Sequence, residues 1–302
     1  MTLLRGTVLR SQSGFYTVRT DEGVCVCRVR GALKRKLGRN DQITVGDRVQ
    51  FLPLSDGTGV IQDLEPRNSA LVRLEPTPHG EFRQVLLANA DQIVLVFSCA
   101  QPDPRLRMLD RFLVICEKQG IPPLIVANKI DLVSPQRARE YFALYEELDY
   151  PVLYTSAKTG QGVDRLRDQL KDRISGLVGP SGAGKTSLLN AIQPELGLEV
   201  GSVSSITHKG RHTTVVRSMF PLTCGGYVAD LPGLRSLALW DTQPEELDGY
   251  FPELRHLVAQ CQFSDCTHSP DEPGCAVRAA VAEGKIDRRR YESYLRLRAG
   301  ED

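Results

Sequence analysis

Apolar and polar residues alternate in short runs along the first part of the chain. Residues 6–10, 15–19, 24–30, 48–52 and 59–62 each follow a period of two, with Gly, Asp or Pro between the runs. That period sends successive side chains to opposite faces. Val24, Val26 and Arg28 then share one face and Cys25, Cys27 and Val29 the other, which makes the two cysteines packing residues rather than ligands. Five short strands within residues 1–67 predict a small closed barrel, and an OB-fold is the natural candidate.

From about residue 68 the pattern changes. Residues 92–97 form an unbroken apolar run, as expected of a strand covered on both faces. Leu106, Leu109, Phe112, Leu113 and Cys116 then recur at helical spacing, and that helix ends near Gly120. A buried strand at 123–127, a helix at about 136–148, a strand at 151–154 and a helix at about 161–172 follow. A strand at 174–178, a helix carrying Leu188, Leu189 and Ile192, and a strand at 226–229 complete the alternation. Alternating strand and helix predicts an α/β fold with a mostly parallel sheet and helices on both sides. Residues 244–255 and 278–298 read as helical, with little hydrophobic core between them. The expected domains are 1–67, 68–235 and 236–302, in keeping with a 302-residue chain.

Hydrophobic residues at 41% and charged residues at 25% suit a soluble globular protein. No apolar run approaches the roughly eighteen residues of a membrane span, and the start of the chain, Met1 to Gly6, lacks a signal-peptide core. A cytoplasmic monomer without membrane partners is expected, and eight cysteines there are thiols or metal ligands rather than disulfides. The net charge of +1 excludes a polycation, yet the charge is uneven. Residues 1–67 hold 11 Lys/Arg against 7 Asp/Glu, and residues 236–302 hold 8 against 13. Any nucleic-acid contact must therefore come from local patches. One is Arg28, Arg30, Lys34, Arg35, Lys36 and Arg39, which reads equally as an RNA contact or a solvated loop. Lys285, Arg288, Arg289, Arg290, Arg296 and Arg298 form a second, with the same two readings.

The strand at 174–178 runs into Gly179, Pro180, Ser181, Gly182, Ala183, Gly184, Lys185, Thr186 and Ser187. Gly, four residues, then Gly-Lys-Thr between a strand and a helix is the phosphate-cradling pattern. The glycines let backbone amides converge on an anion, and the helix N-terminus adds positive potential. Lys185 is placed to bridge the β- and γ-phosphates and the Thr186 hydroxyl to bind Mg²⁺. A glycine-rich turn is the plain alternative.

Two further loops leave strand ends. Asn128-Lys129-Ile130-Asp131 follows the strand at 123–127. An Asp there accepts hydrogen bonds from guanine N1 and the 2-amino group, a donor pair adenine lacks. Asn128 can meet the base edge and brace neighbouring loops, and the Lys129 stem can lie over the ring. Ser156, Ala157 and Lys158 follow the next strand, where a backbone amide would meet guanine O6. Asp230 to Gly233, Asp-Leu-Pro-Gly, follows the strand at 226–229; Asp230 would hold Mg²⁺ through water and the Gly233 amide would meet the γ-phosphate. Thr213 or Thr214 would complete the metal shell when GTP is bound. Each short motif alone is matched by an ordinary turn; together they are the GTPase motifs in permuted order, guanine loops first and phosphate loop after. A parallel sheet tolerates this when the original ends lie close together. Leu234 stands where a water-orienting Gln is usual, which predicts slow intrinsic hydrolysis raised by a partner. His212 is either a contributing polar group or a loop histidine.

In the last domain Cys261, Cys266, His268 and Cys275 fall within fifteen residues, a set that suits a tetrahedral Cys₃His zinc site. Free thiols beside a surface histidine are the alternative. With little core nearby, the metal would supply much of the local stability.

The permuted motif order, the barrel in front and the Cys₃His cluster behind together resemble the RsgA (YjeQ/YloQ) family of circularly permuted GTPases. The resemblance spans nearly the whole chain. It implies a circularly permuted P-loop GTPase domain with an N-terminal OB-fold barrel and a C-terminal helical zinc-binding domain. It further implies GTP/GDP, Mg²⁺ and Zn²⁺ as cofactors and the small ribosomal subunit with its rRNA as partner. The expected activity is GTP hydrolysis stimulated by that subunit during late maturation, where such enzymes check or release assembly factors. A GTP-dependent switch acting on another RNA or on translation is the second reading. A zinc-containing RNA-binding protein with a degenerate nucleotide site is the third, and intact Lys185, Thr186, Asp230 and Asp131 argue against it.

Overall fold

The computed structural model describes residues 2–38, 41–77, 80–199, 217–231 and 242–301. The chain opens with β1 (Leu4–Gln12), β2 (Phe15–Thr20), β3 (Gly23–Val29), α1 (Gly31–Leu37), β4 (Arg48–Pro53) and β5 (Thr58–Leu64). β1 pairs antiparallel with β2 and β4, β2 with β3, and β4 with β5, while β3 and β5 run parallel. The five strands therefore close on themselves, with α1 in the connection between β3 and β4, as an OB-fold barrel requires. Val8, Val18, Cys27, Val49, Phe51 and Ile61 fill it. Val24 and Val26 face outward at 55% and 47% exposure, and Cys25 packs against the interior, as the alternation predicts.

A hairpin follows that the hydrophobic pattern did not predict: β6 (Ala70–Thr77) and β7 (Gly80–Ala88), paired antiparallel. Val85, Leu86, Leu87 and Ala88 are all buried, so no alternation marks it. Its end is clipped to the helix α2 (Leu106–Gln119): the Val72 amide donates to Gln119 Oε1 at 2.7 Å and Gln119 Nε2 donates to Val72 O at 3.1 Å.

The central sheet is built from β8 (Gln92–Ser98), β9 (Pro123–Asn128), β10 (Val152–Tyr154), β11 (Ile174–Val178), β12 (Arg217–Pro221) and β13 (Tyr227–Asp230). Its order is β10-β9-β8-β11-β13-β12; the first five strands are parallel and β12 is antiparallel to β13. Every residue of β8 and β11 is buried, because helices cover both faces. Ile93, Leu95 and Phe97 pack with Leu109, Phe112 and Leu113 of α2 and with Phe142 and Tyr145 of α3 (Pro135–Glu147). Val94 and Val96 face the other way, onto Leu166 and Leu170 of α4 (Val163–Leu170) and Leu188 and Leu189 of α5 (Lys185–Ile192). α4 passes into β11 through residues 171–173 alone, the join that a permuted order demands.

β12 also pairs with β1, Arg10 opposite Ser218 and Ser11 opposite Arg217, so barrel and central sheet form one continuous eleven-stranded sheet.

In the last segment a 3₁₀ turn (Pro244–Tyr250) leads into α6 (Pro252–Arg255), and α7 (Ala276–Ala282) and α8 (Arg288–Arg298) follow. The stretch read as one helix over 278–298 is two. Gly284 sits at φ 72° between them, and the Asp287 carboxylate caps α8 by accepting from the Arg289 amide. The segment also has more core than its sequence suggests: Leu247, Phe251, Leu254, Val277, Ile286 and Tyr294 pack together with Val114 of α2.

Arg290 is not a surface cation. It is 1% exposed; its Nη1 donates to Asp110 Oδ1 and its Nε to Glu253 Oε1, each at 2.6 Å. Tyr145 and Ser293 donate to the two oxygens of the same Asp110 carboxylate. Arg288 and Arg289 pair with Glu292 and Asp287. No helix among the described residues is long and apolar enough to cross a membrane.

Candidate nucleotide site and metal cluster

The loops that carry chemistry leave one edge of the parallel sheet, the carboxyl ends of β9, β10, β11 and β13. Ligands of open α/β sheets collect at that edge. β9 ends in Asn128, which is 1% exposed. Its Nδ2 donates to Ala183 O of the phosphate loop at 2.8 Å, and its Oδ1 accepts from Thr155 Oγ1 at 3.1 Å. Asn128 thus ties the loops after β9, β10 and β11 together. Lys129 follows in the left-handed region at φ 61°, which turns the chain so that Asp131 emerges exposed. Asp131 Oδ1 accepts from Ser156 Oγ at 2.6 Å. Ser156 is fully buried, Ala157 half-buried and Lys158 exposed, and Ser156 Oγ also receives the Thr159 amide at 3.1 Å.

The phosphate loop joins β11 to α5. Gly184 has φ 94°, and a Cβ there would lie 2.3 Å from Asn128 Nδ2. Gly179 has φ 149°, and a Cβ would lie 2.0 Å from Val96 O. Both positions admit only glycine, because the loop lies against the sheet and against Asn128. Lys185 Nζ donates to Gly179 O at 2.7 Å and Pro180 O at 3.0 Å, holding the ammonium over the concave side of its own loop. Thr186, at 7% exposure, follows Lys185 in the first turn of α5. Asp230 ends β13 in register with Leu177 of β11. Burial pushes its carboxyl up to about 6, against the pull of the Lys185 charge. A half-buried carboxyl that feels the Lys185 charge at the end of the strand beside the phosphate loop fits a phosphate-bound dication. His212, Thr213, Thr214, Gly233 and Leu234 lie outside the described residues.

One contributor was not visible as a motif. The loop after β8 reaches the site: Lys129 Nζ donates to Gln101 O, and Ser98 Oγ donates to Pro102 O at 2.6 Å. Pro102 also borders Gly182, where a Cβ would lie 3.2 Å from the proline ring.

The second site lies in the last segment. Cys261, Cys266, His268 and Cys275 bring their ligand atoms within 4.8 Å of one another. His268 Nδ1 lies 3.6 Å from Cys261 Sγ and 3.4 Å from Cys275 Sγ. A tetrahedral zinc with bonds of about 2.1 and 2.3 Å would hold such atoms about 3.6 Å apart, so the donor set fits the ion. His268 is fully buried, at φ 58°, and its Nε2 lies 3.2 Å from Asp248 Oδ2. A carboxylate behind a ligating imidazole fixes its tautomer and orientation. Asp248 stands twenty residues before His268 with no spacing rule to signal it.

Sheet order, phosphate loop and an Asn-Lys-x-Asp loop that precedes it in the chain define the class: a circularly permuted P-loop GTPase fold. The family model described as RsgA GTPase matches residues 64–240, and that described as RsgA N-terminal domain matches residues 5–61. The chain belongs to the RsgA GTPase family. It is 45% identical over 297 residues to the small ribosomal subunit biogenesis GTPase RsgA of Gemmatimonas aurantiaca, covering 97% of this chain and 96% of that one. The protein of the same name from Moorella thermoacetica is 43% identical, with 97% and 95% covered. The crystal structure of YjeQ from Thermotoga maritima is similar at a TM-score of 0.80 and 38% identity over 99% of both chains. That of YloQ, a circularly permuted GTPase, reaches 0.73 at 32% identity, over 99% and 95%.

Proposed function

We propose that the chain is a Mg²⁺-dependent GTPase that assists late maturation of the small ribosomal subunit, with nucleotide state coupled to binding and release of the subunit and its rRNA. The observation that carries this is the tie between the guanine loop and the phosphate loop, Asn128 Nδ2 to Ala183 O. It supports both ends of one nucleotide being held by a single braced edge. The names of relatives matched over nearly their full length support the subunit as partner.

In this reading Asp131 accepts from guanine N1 and the 2-amino group, held ready by Ser156. Asn128 braces the base loop, the Lys129 stem covers the ring, and the backbone at Ala157 and Lys158 meets O6. Backbone amides from Ser181 to Ser187 surround the phosphates, with Gly179 and Pro180 shaping the turn that aims them. Lys185 swings from Gly179 O and Pro180 O to the β- and γ-phosphates. Thr186 and Asp230 would hold the magnesium. Bound Mg²⁺ supplies neutralisation of the charge that develops on the phosphates. Thr213 or Thr214, the Gly233 amide and His212 complete the roles. Cys261, Cys266, His268 and Cys275 hold zinc as a structural ion. The domains are 1–67, 68–235 and 236–302, and the enzyme works as a cytoplasmic monomer.

The test is GTP turnover with and without purified small subunits. Turnover is expected to rise severalfold with subunits and to fall to background in Lys185→Ala. Turnover that ignores subunits but responds to another RNA would shift the reading to a switch acting elsewhere. Equal binding of GTP and ATP would remove the guanine assignment.

A further inference from the structure

A groove of about 870 Å³ separates the start of α2 from the end of α8 and is lined by Arg105, Arg107, Arg111 and Arg296. Among the described residues the guanidinium groups of Arg105, Arg107 and Arg296 make no ion pair or hydrogen bond. Leu106, Met108 and Leu297 add apolar surface. Acceptors are scarce. Among the described residues Glu301 supplies the one carboxylate of the lining, and the Ser293 hydroxyl is already donated to Asp110.

This balance selects the ligand. A protein segment brings amides that need acceptors, and the groove has few to give. A phosphodiester strand carries a row of anionic acceptor oxygens along its backbone, and guanidinium forks match them. The apolar surface suits an unstacked base. The groove is also wired to the nucleotide site. Pro104 and Arg105 line it, and the same loop, a few residues earlier, receives Lys129 at Gln101 O and presses Pro102 towards Gly182.

We propose that this groove binds the phosphate backbone of an unpaired RNA segment, and that its occupation steadies the loop at 99–105 beside the nucleotide. The proposal rests on the reading of the chain as an enzyme of an RNA-containing particle, and it names a contact that relays the particle's presence to GTP.

The test compares the full-length protein with the triple variant Arg105→Gln, Arg107→Gln, Arg296→Gln, and with Arg288→Gln as an exposed control. The probe is a fluorescein-labelled oligouridylate of about twelve nucleotides, read by anisotropy across a salt series. Three lost phosphate contacts at about 0.7 each should flatten the logarithmic salt slope by about 2. Affinity at low salt should drop at least tenfold. Hydrogen exchange over 99–111 should slow with the probe in the unaltered protein only. Subunit-stimulated turnover should fall about fivefold or more while basal turnover holds. An unchanged slope together with unchanged exchange would overturn the proposal. So would stronger protection of 99–111 by polyglutamate of equal charge, which would make the occupant a protein. If subunits fail to stimulate even the unaltered protein, the functional reading falls, and the oligouridylate arm still decides the groove.

Discussion

The two flanking modules are fastened to the central sheet by different chemistry. The barrel is attached mainly through backbone. β1 pairs with β12, the Ala88 amide donates to Val45 O at 3.0 Å, and Asn89 Nδ2 donates to Gly46 O at 3.0 Å. Within the barrel a charged clasp closes the stretch after β5 onto the loop before β4: Arg67 Nε and Nη2 donate to the two oxygens of buried Asp47 at 2.7 and 2.9 Å. The C-terminal module is attached through side chains. Arg290 forks between Asp110 of α2 and Glu253 of α6, and Val114 of α2 joins the module's core. A strand ladder tolerates side-chain replacement and passes on any shift of its strand. A buried ion network resists small shifts but fails when one member is lost. β12 pairs with β13, the strand that ends in Asp230, so the barrel is coupled to a neighbour of the nucleotide edge, and the C-terminal module to a helix.

The comparison is most open to attack at Arg290. Arg290→Ala leaves two carboxylates buried without their cation and should lower stability by about 3–5 kcal/mol. Thermal melts should show it, with limited proteolysis cutting first after residue 242. An unaltered melt would mean the module is held by something else. Arg67→Ala strands a single carboxylate that keeps the Thr44 amide at 2.8 Å, and should cost about 2 kcal/mol with cutting first in the barrel. Asp248→Asn sharpens the picture inside the C-terminal module. Zinc affinity should weaken by about 10- to 100-fold, measured by competition with a chromogenic chelator, while the module's core keeps it folded. The smallest effect is expected where backbone does the fastening. Ser218→Ala should change stability by less than about 0.5 kcal/mol; a loss of several kcal/mol would show that side chains, not the ladder, join barrel to sheet.

Much of this was readable beforehand. Strong periodicity placed the five barrel strands and the buried runs of β8, β9 and β11, and fixed spacings placed the phosphate loop, the Asn128–Asp131 loop and the Cys₃His cluster. The hairpin β6–β7 escaped because Val85 to Ala88 are all buried and therefore do not alternate. Arg290 escaped because charge on a terminal helix normally means solvent, and only tertiary packing brings Asp110 to it from 180 residues away. Asp248 and the loop at Gln101 and Pro102 act through space, with no motif to announce them. Little core was expected beside the zinc cluster because its apolar residues are scattered among prolines and acids; the helices gather them.

The pairing of β12 with β1 has one more consequence. Without the barrel, β12 would form the outer rim of the central sheet, a row of unsatisfied amides and carbonyls. The opposite rim, β10, is only three residues long and offers little to recruit a neighbour. The barrel thus doubles as a shield against self-association, and a fragment starting at residue 68 should clump where the whole chain stays dispersed.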